Sequence, residues 1–257
     1  MESERASHDR TVVEQFSKQA APFSRWKSED GEMERLVHLC GITSQDDVLD
    51  VACGPGLVAC AVAPHARHVT GIDLTPRMIE IAERRQAELR LTNMVWRIGN
   101  VLALPFDGGS FTAVITRYSF HHLLAPGDVL AEMRRVCKPG GRVMVVDLAL
   151  PPDKVDAYDQ MEKRRDPSHA RVLTPAALDA LVRESGLVDV RAVTYHIPMD
   201  LERLMRSSFP DPDNVREVRR MFHADVGVDG MGLGVRRDGE DVVFSYPVTA
   251  LIGRKPN

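Results

Sequence analysis

The chain has 257 residues, 44% of them hydrophobic and 27% charged, with a formal net charge of −4. That is enough apolar material for one large α/β domain with a small cap, and the mild acidity excludes a protein whose main task is gripping nucleic acid. No stretch reaches the roughly 18 apolar residues needed to span a bilayer, and the polar run from Met1 to Arg10 does not read as a secretory leader, so a cytoplasmic protein is expected.

Cys40, Cys53, Cys60 and Cys137 lack the spacing of metal ligands, which predicts reduced, mostly buried thiols and no metal site. Residues 1–10 are expected to fray. Thr11 to Gln19 reads as a short helix, with Phe16, Phe23 and Trp26 placed to staple it to the core. Met33, Leu36, Val37 and Cys40 fall at helical spacing, and Gly41 ends that helix.

Val48, Leu49 and Val51 then form a buried strand, broken by Gly54-Pro55-Gly56 and followed by a helix of small residues from Leu57 to Ala63. Strand, glycine turn and helix in that order make a ligand cradle. Glycines admit close approach, and the free N–H groups of the helix start face the ligand. A second strand, His68 to Leu74, carries Asp73 at its end. Thr75-Pro76 opens a helix whose apolar face includes Met78, Ile79 and Ala82. Val95 to Ile98 and Phe111 to Thr116 are the third and fourth strands. Gly127 to Cys137 is a helix, Lys138 to Gly141 a sharp turn, and Arg142 to Leu148 a fifth strand. This alternation predicts a Rossmann-like, doubly wound parallel sheet.

The rhythm changes at Pro151. Residues 151–173 are polar and read as an inserted lid with a helix at about Lys154 to Lys163. Within it, Arg165, His169 and Arg171 suit either an anionic substrate or internal salt bridges. A helix from Thr174 to Gly186, a strand from Val188 to Ile197, helices over Asp200 to Phe209 and Asn214 to His223, a glycine-rich loop at Gly227 to Gly239 and a last strand from Val242 follow.

Gly54-x-Gly56-x-x-Ala59 with Asp73 also fits the dinucleotide fingerprint. Asp50 weighs the other way. A carboxylate before the turn suits an ammonium group and repels a pyrophosphate. Asn100 after the third strand, with apolar Val101, suits an adenine edge and face, and no Tyr-x-x-x-Lys pair is present for short-chain dehydrogenase chemistry.

The ordered motifs Asp50-Val-Ala-Cys-Gly-Pro-Gly56, Gly71-Ile-Asp73-Leu-Thr-Pro-x-Met78, Gly99-Asn-Val-x-x-Leu-Pro-Phe106, Phe120-His-His-Leu123 and Lys138-Pro-Gly-Gly141 resemble the class I S-adenosylmethionine (SAM)-dependent methyltransferases, nearest the bacterial small-molecule branch with the UbiE/MenG-type quinone enzymes. The resemblance covers about residues 45–150. It implies a seven-stranded sheet with the last strand antiparallel. It divides the chain into an N-terminal helical cap (1–41), a SAM-binding core (42–150), the lid (151–173) and a C-terminal part of the core (174–257) with a helical substrate cap near 198–225. Ala52, Gly54 and Gly56 are then expected to line SAM, Asp73 to hold the ribose, and Leu74, Met78, Asn100 and Val101 to surround the adenine. Arg117 is expected near the methionine part or the reaction centre. Ala52 stands where the family has glycine, and Asn100 where it usually has Asp.

Methyl transfer from a sulfonium needs alignment, exclusion of water and, for an acidic acceptor, a base. His121 and His122 follow the fourth strand, where doubly wound folds bind ligands. Either suits the base, and either suits a buried structural role. Tyr118 can pack over the methyl group or hydrogen-bond the acceptor. The expected reaction gives S-adenosylhomocysteine and a small, partly apolar product methylated at oxygen or carbon, from a quinone, phenol or natural-product type of acceptor. The expected partners are that acceptor and a second copy in a homodimer. A SAM-binding protein without methyl transfer (a cyclase or binding module) and an NAD-dependent oxidoreductase are the alternatives.

Overall fold

The computed structural model describes residues 2–24 and 31–257. Trp26 lies outside the described residues, as does the side chain of Phe23, so their stapling role is not addressed.

In chain order the elements are α1 (Glu2–Ser24), α2 (Glu32–Cys40), β1 (Asp47–Val51), α3 (Leu57–Val62), β2 (His68–Asp73), α4 (Pro76–Glu88), β3 (Met94–Ile98), β4 (Phe111–Arg117), α5 (Pro126–Val136), β5 (Cys137–Leu148), α6 (Val155–Arg165), α7 (Pro175–Glu184), β6 (Val188–Asp200), α8 (Leu201–Ser208), α9 (Pro212–Asp225), β7 (Arg236–Asp238) and β8 (Asp241–Arg254). The main sheet runs β3-β2-β1-β4-β5-β8-β6, and the short β7 pairs with β8. β1 to β5 are mutually parallel. β8 runs antiparallel between β5 and β6. The seven-stranded, Rossmann-like sheet with its last strand reversed is therefore present, with β7 as an added ribbon.

Strands buried on both faces read as continuous apolar runs. Leu49, Val51, Val114 and Val145 pack with α5 and α7 on one face, whereas Val48, Val69, Ile115 and Met144 pack with α2 and α3 on the other. A third core joins Tyr158 and Met161 of α6, Leu204 and Met205 of α8, Phe222 of α9 and Phe244 of β8. Segment 151–173 and the helices after β6 thus share one apolar interior above the sheet's carboxyl end.

Two boundaries depart from expectation. Helix α1 begins at Glu2 and includes residues expected to fray. It packs Phe16 and Ala20 on Met78 and Ile81 of α4. β5 begins at Cys137, through the expected turn. Gly140 N–H donates to Lys255 O at 2.8 Å and Lys255 N–H to Gly141 O at 2.9 Å, which draws this segment into a ladder.

The order reverses between β1 and β4, and the crevice at such a switch point is where open α/β sheets bind ligands. Its floor depends on Trp96 of β3. The indole donates to Gln86 Oε1 at 2.7 Å and lies against Gly56 and Gly71. A Cβ on Gly56 would stand 2.6 Å from that ring, and one on Gly71 would collide with it. Gly71→Ala is therefore expected to cost about 3 kcal/mol by overpacking. The check is calorimetric melting, with a fall in midpoint of roughly 6–12 °C.

Candidate active site

The carboxyl ends of β1, β2, β4 and β5, capped by α1, α6 and α8, enclose a cavity of about 310 Å³. On the β1–β2 side its wall holds two buried aspartates. Asp50 Oδ2 accepts from Ala59 N–H at 2.9 Å, so a strand carboxylate caps the start of α3. Burial pushes its carboxyl up to about 7. Asp73 accepts Gly54 N–H on one oxygen and Thr75 N–H on the other, both at 2.8 Å, and burial raises it as well. Each Asp73 oxygen keeps a lone pair for a further donor.

The chain between them is in left-handed backbone. Ala52 has φ 55° and Gly54 φ 50°. A Cβ on Gly54 would meet no protein atom within 4 Å, so that position opens onto the cavity. Ala52, where the resembled family has glycine, bears local strain of about 1–2 kcal/mol. Asn100 accepts Leu102 N–H at 2.9 Å and donates to Asp9 Oδ2 of α1 at 2.9 Å.

The turn after β4 is held from three sides. Tyr118 has φ 54°, rare for a bulky residue and a mark of functional strain. Its N–H donates to Val146 O at 2.8 Å. The Thr116 hydroxyl donates to Val51 O at 2.7 Å and lies 2.6 Å from Ser119 Oγ. Asp147, at the end of β5, accepts Phe120 N–H at 2.6 Å, His121 N–H at 3.2 Å and Leu148 N–H at 2.7 Å, and its Oδ1 lies 2.5 Å from His121 Nδ1. Burial opposes a charge on His121, but the charge and hydrogen bond of Asp147 prevail and raise it. His122 Nδ1 donates to Ser168 O at 3.1 Å, and its ring meets Phe16 edge-on. Burial, then neighbouring His121, lowers it, so His122 stays neutral.

Glu32 of α2, which no motif marks, joins the predicted Arg117 and Tyr118 to Tyr195 of β6. It accepts from Arg117 (Nε at 3.2 Å, Nη2 at 2.5 Å), from Tyr118 Oη at 2.8 Å and from Tyr195 Oη at 3.0 Å. The Arg117 guanidinium stacks 3.8 Å above the Tyr118 ring. The Tyr118 hydroxyl is thus committed, and the ring is what it presents to the cavity.

Helix α1 closes the top. His8 Nε2 donates to His122 O at 2.6 Å, Gln15 Nε2 to Ser208 O at 2.7 Å, and Gln19 Nε2 to Asp166 Oδ2 at 2.9 Å. Beyond the β4 turn the wall is built by Leu148, Tyr158, Glu162, Arg165, Met199, Leu204 and Tyr246. Arg165 donates to Glu162 and to Ser208 Oγ, and Arg171 pairs with Asp156 and Asp159 at the surface. His169 turns away onto Asp159, 2.6 Å distant. The salt-bridge reading of Arg165 and Arg171 is the one the geometry matches.

Asp50, Ala52, Gly54, Asp73, Leu74, Met78, Asn100, Val101, Arg117, Tyr118, His121 and His122 all line this one cavity. Gly56 stands outside its wall, beneath Trp96. Asp147 was findable as a lone acid ending an apolar strand, like Asp50 and Asp73. Glu32, Tyr158 and Tyr246 carried no local signal.

A switch-point cavity with an aspartate at the end of each of its first two strands, in a sheet whose final strand is reversed, is an α/β architecture of the methyltransferase type. The sequence pattern of the methyltransferase domain family matches residues 49–145. The chain belongs to the class I SAM-dependent methyltransferases, a family that implies SAM rather than NAD as the cofactor. It is 25% identical to the uncharacterised methyltransferase YcgJ of Bacillus subtilis, over 93% of this chain and 97% of that protein. The YcgJ crystal structure superposes with a TM-score of 0.80 at 22% identity, covering 88% of this chain and 98% of that one. YafE of Escherichia coli is 33% identical over 54% of this chain and 68% of its own length. A demethylmenaquinone methyltransferase of Tropheryma whipplei is 37% identical over 44% of this chain and 46% of its own.

The Glu32 cluster yields a stability expectation. Burial raises the Glu32 carboxyl, but Arg117 and its hydrogen bonds outweigh this and leave it lowered below 4.5. Its contribution is present above the ordinary carboxylate value and is lost as pH falls through the lowered one. Glu32→Gln strands the buried Arg117 charge and is expected to cost about 3 kcal/mol at pH 7. Denaturant melts at pH 7 and pH 4 are expected to show a smaller gap between variant and wild type at the lower pH.

Proposed function

We propose that Asp50, Gly54, Asp73 and Asn100 hold SAM along the ends of β1 to β3, and that the methyl acceptor is a small, partly apolar metabolite methylated at oxygen or carbon with His121 as the base. The carrying observation is one continuous cavity that joins the aspartate-lined end to the apolar wall of Leu148, Met199 and Leu204, with His121 between them.

The residues fit the cofactor. Among the described residues, Asp50 is a buried carboxyl with a single protein hydrogen bond and no cation bonded to it. An ammonium group brought beside it would restore its charge. Asp73 is preset by two backbone donors to receive ribose hydroxyls, and Gly54 leaves the approach open. Asn100 retains acceptor capacity at its carbonyl oxygen for an adenine amino group, with Leu74, Met78 and Val101 as apolar neighbours. SAM supplies an activated methyl group, so little covalent chemistry falls to the protein.

His121 presents Nε2 while Nδ1 faces Asp147. The carboxylate fixes the tautomer and stabilises the imidazolium formed when Nε2 takes the acceptor's proton, as in other histidine–carboxylate pairs. Tyr118 and Arg117, locked by Glu32, form a rigid wall beside that nitrogen. Helix α1 excludes water from above. The demethylmenaquinone methyltransferase of T. whipplei supports an apolar ring system as the type of acceptor.

Titration calorimetry is expected to show SAM binding, and mass spectrometry of a metabolite extract with labelled SAM to show a methylated product. No SAM affinity in folded protein would sink this assignment. His121→Asn is expected to lower turnover about 10²–10⁴-fold with SAM affinity little changed. The rate should rise with pH through a midpoint above 6.5, because the base acts deprotonated and Asp147 raises it. Asp147→Asn should move that midpoint down. Gly54→Ala is expected to lower SAM affinity more than tenfold yet cost only about 1–2 kcal/mol of stability, from strain alone.

A further inference from the structure

The wall beyond the β4 turn carries two polar groups that the proposed reaction does not use. Tyr158 of α6 is 1% exposed and lines the cavity, and Tyr246 of β8 lines it too. Neither hydroxyl has a hydrogen-bond partner among the described residues, although buried tyrosine hydroxyls ordinarily find one. Burial raises both phenols, Tyr158 far above its ordinary value, so each is a neutral O–H donor.

The rings are fixed in place. Tyr246 meets Phe244 edge-on, centroids 5.1 Å apart, and Phe244 packs on Phe222 at 4.9 Å. Tyr158 meets His169 edge-on at 5.9 Å. Neither side chain is free to swing its hydroxyl into bulk water. The two phenols and the Glu162–Arg165 pair line the same cavity. Two rigidly packed neutral donors are therefore available to one ligand.

The charges around them set what can enter. Arg165 is bonded to Glu162, and its Nη2 also lies 3.8 Å from Asp166 Oδ2, so one cation faces two carboxylates. His122 beside Asp166 is kept neutral by burial. Arg117 is neutralised by Glu32, and Arg203 is itself engaged. A carboxylate or phosphate placed here would be buried without a cation of its own, at a cost of several kcal/mol. An uncharged oxygen needs only donors.

We propose that Tyr158 and Tyr246 form the acceptor's recognition subsite, which binds an uncharged carbonyl or hydroxyl oxygen of an otherwise apolar molecule and rejects carboxylated or phosphorylated ones. The assignment rests on the methyl-transfer reading and names its substrate class.

Calorimetry on the protein saturated with S-adenosylhomocysteine tests it with two probes of one shape, the neutral ketone 2-acetylnaphthalene and the anion 2-naphthoate. The ketone is expected to bind at least tenfold more tightly. The Tyr158→Phe/Tyr246→Phe double variant should lose about tenfold in ketone affinity, keep S-adenosylhomocysteine affinity within twofold and melt no lower than wild type, since it deletes only unpaired hydroxyls. Equal or tighter binding of the anion, no ketone binding to wild type, or an unchanged ketone affinity in the double variant overturns the subsite. Failure of S-adenosylhomocysteine to bind wild type would strike the cofactor reading instead, and the same probe comparison on the free protein would still decide the subsite.

Discussion

Three carboxylates at the carboxyl ends of the parallel strands hold the floor of the cavity. Asp50 ties β1 to α3, Asp73 ties β2 to the glycine turn, and Asp147 ties β5 to the turn after β4. Each accepts backbone N–H groups that would otherwise be buried without partners, at a cost of about 1–3 kcal/mol for each one left unmade. The three differ in one respect. Asp147 has the His121 ring against it and is lowered, whereas Asp50 and Asp73 have no cation bonded to them and are raised. The protein thus leaves electrostatic demand at one end of the cavity and satisfies it at the other. That asymmetry separates an end of the cavity with unpaired carboxyl groups from an end where a carboxylate is matched by an imidazole.

The part of the fold built on apolar periodicity was legible in the sequence. β1 to β5 and their helices follow from runs such as Val48 to Val51 and Val143 to Leu148 and from the glycine and proline punctuation between them, whereas the reversal of the last strand was expected only from the family resemblance. Helix α1 was legible only in its middle. Its early residues are polar, and single side chains (His8, Gln15, Gln19) bond to partners more than a hundred residues away. No local pattern encodes such a bond. The same holds for Glu32, whose partners come from the end of β4 (Arg117, Tyr118) and the middle of β6 (Tyr195). Nearly every residue expected at the site reached the cavity wall, because those residues sit where parallel strands must end. Gly56 is the exception, its lack of a side chain serving the indole beneath rather than the space above.

The insertion after β5 acts as scaffold as well as cover. Arg165, Glu162 and Asp166 form a buried charge cluster, with Asp166 also holding Ser168 and Gln19. Replacing such a cluster by apolar residues often stabilises a protein, so retention of buried ions points to a gain in specificity. Here the cluster orients α1 and α8 against each other and sets the local charge balance. Its ionic groups satisfy one another, and the two phenols beside them keep the unmatched donors.

Trp96 carries a consequence beyond the present fold. Its ring fills the space that side chains on Gly56 and Gly71 would need, so the three positions are locked together. Drift at either glycine is blocked while the indole remains. Loss of the indole alone opens a void under the cofactor turn. Descendants of this sequence can leave the arrangement only by changing more than one of the three positions in concert, which makes this corner of the domain a barrier in sequence space as well as a floor in the molecule.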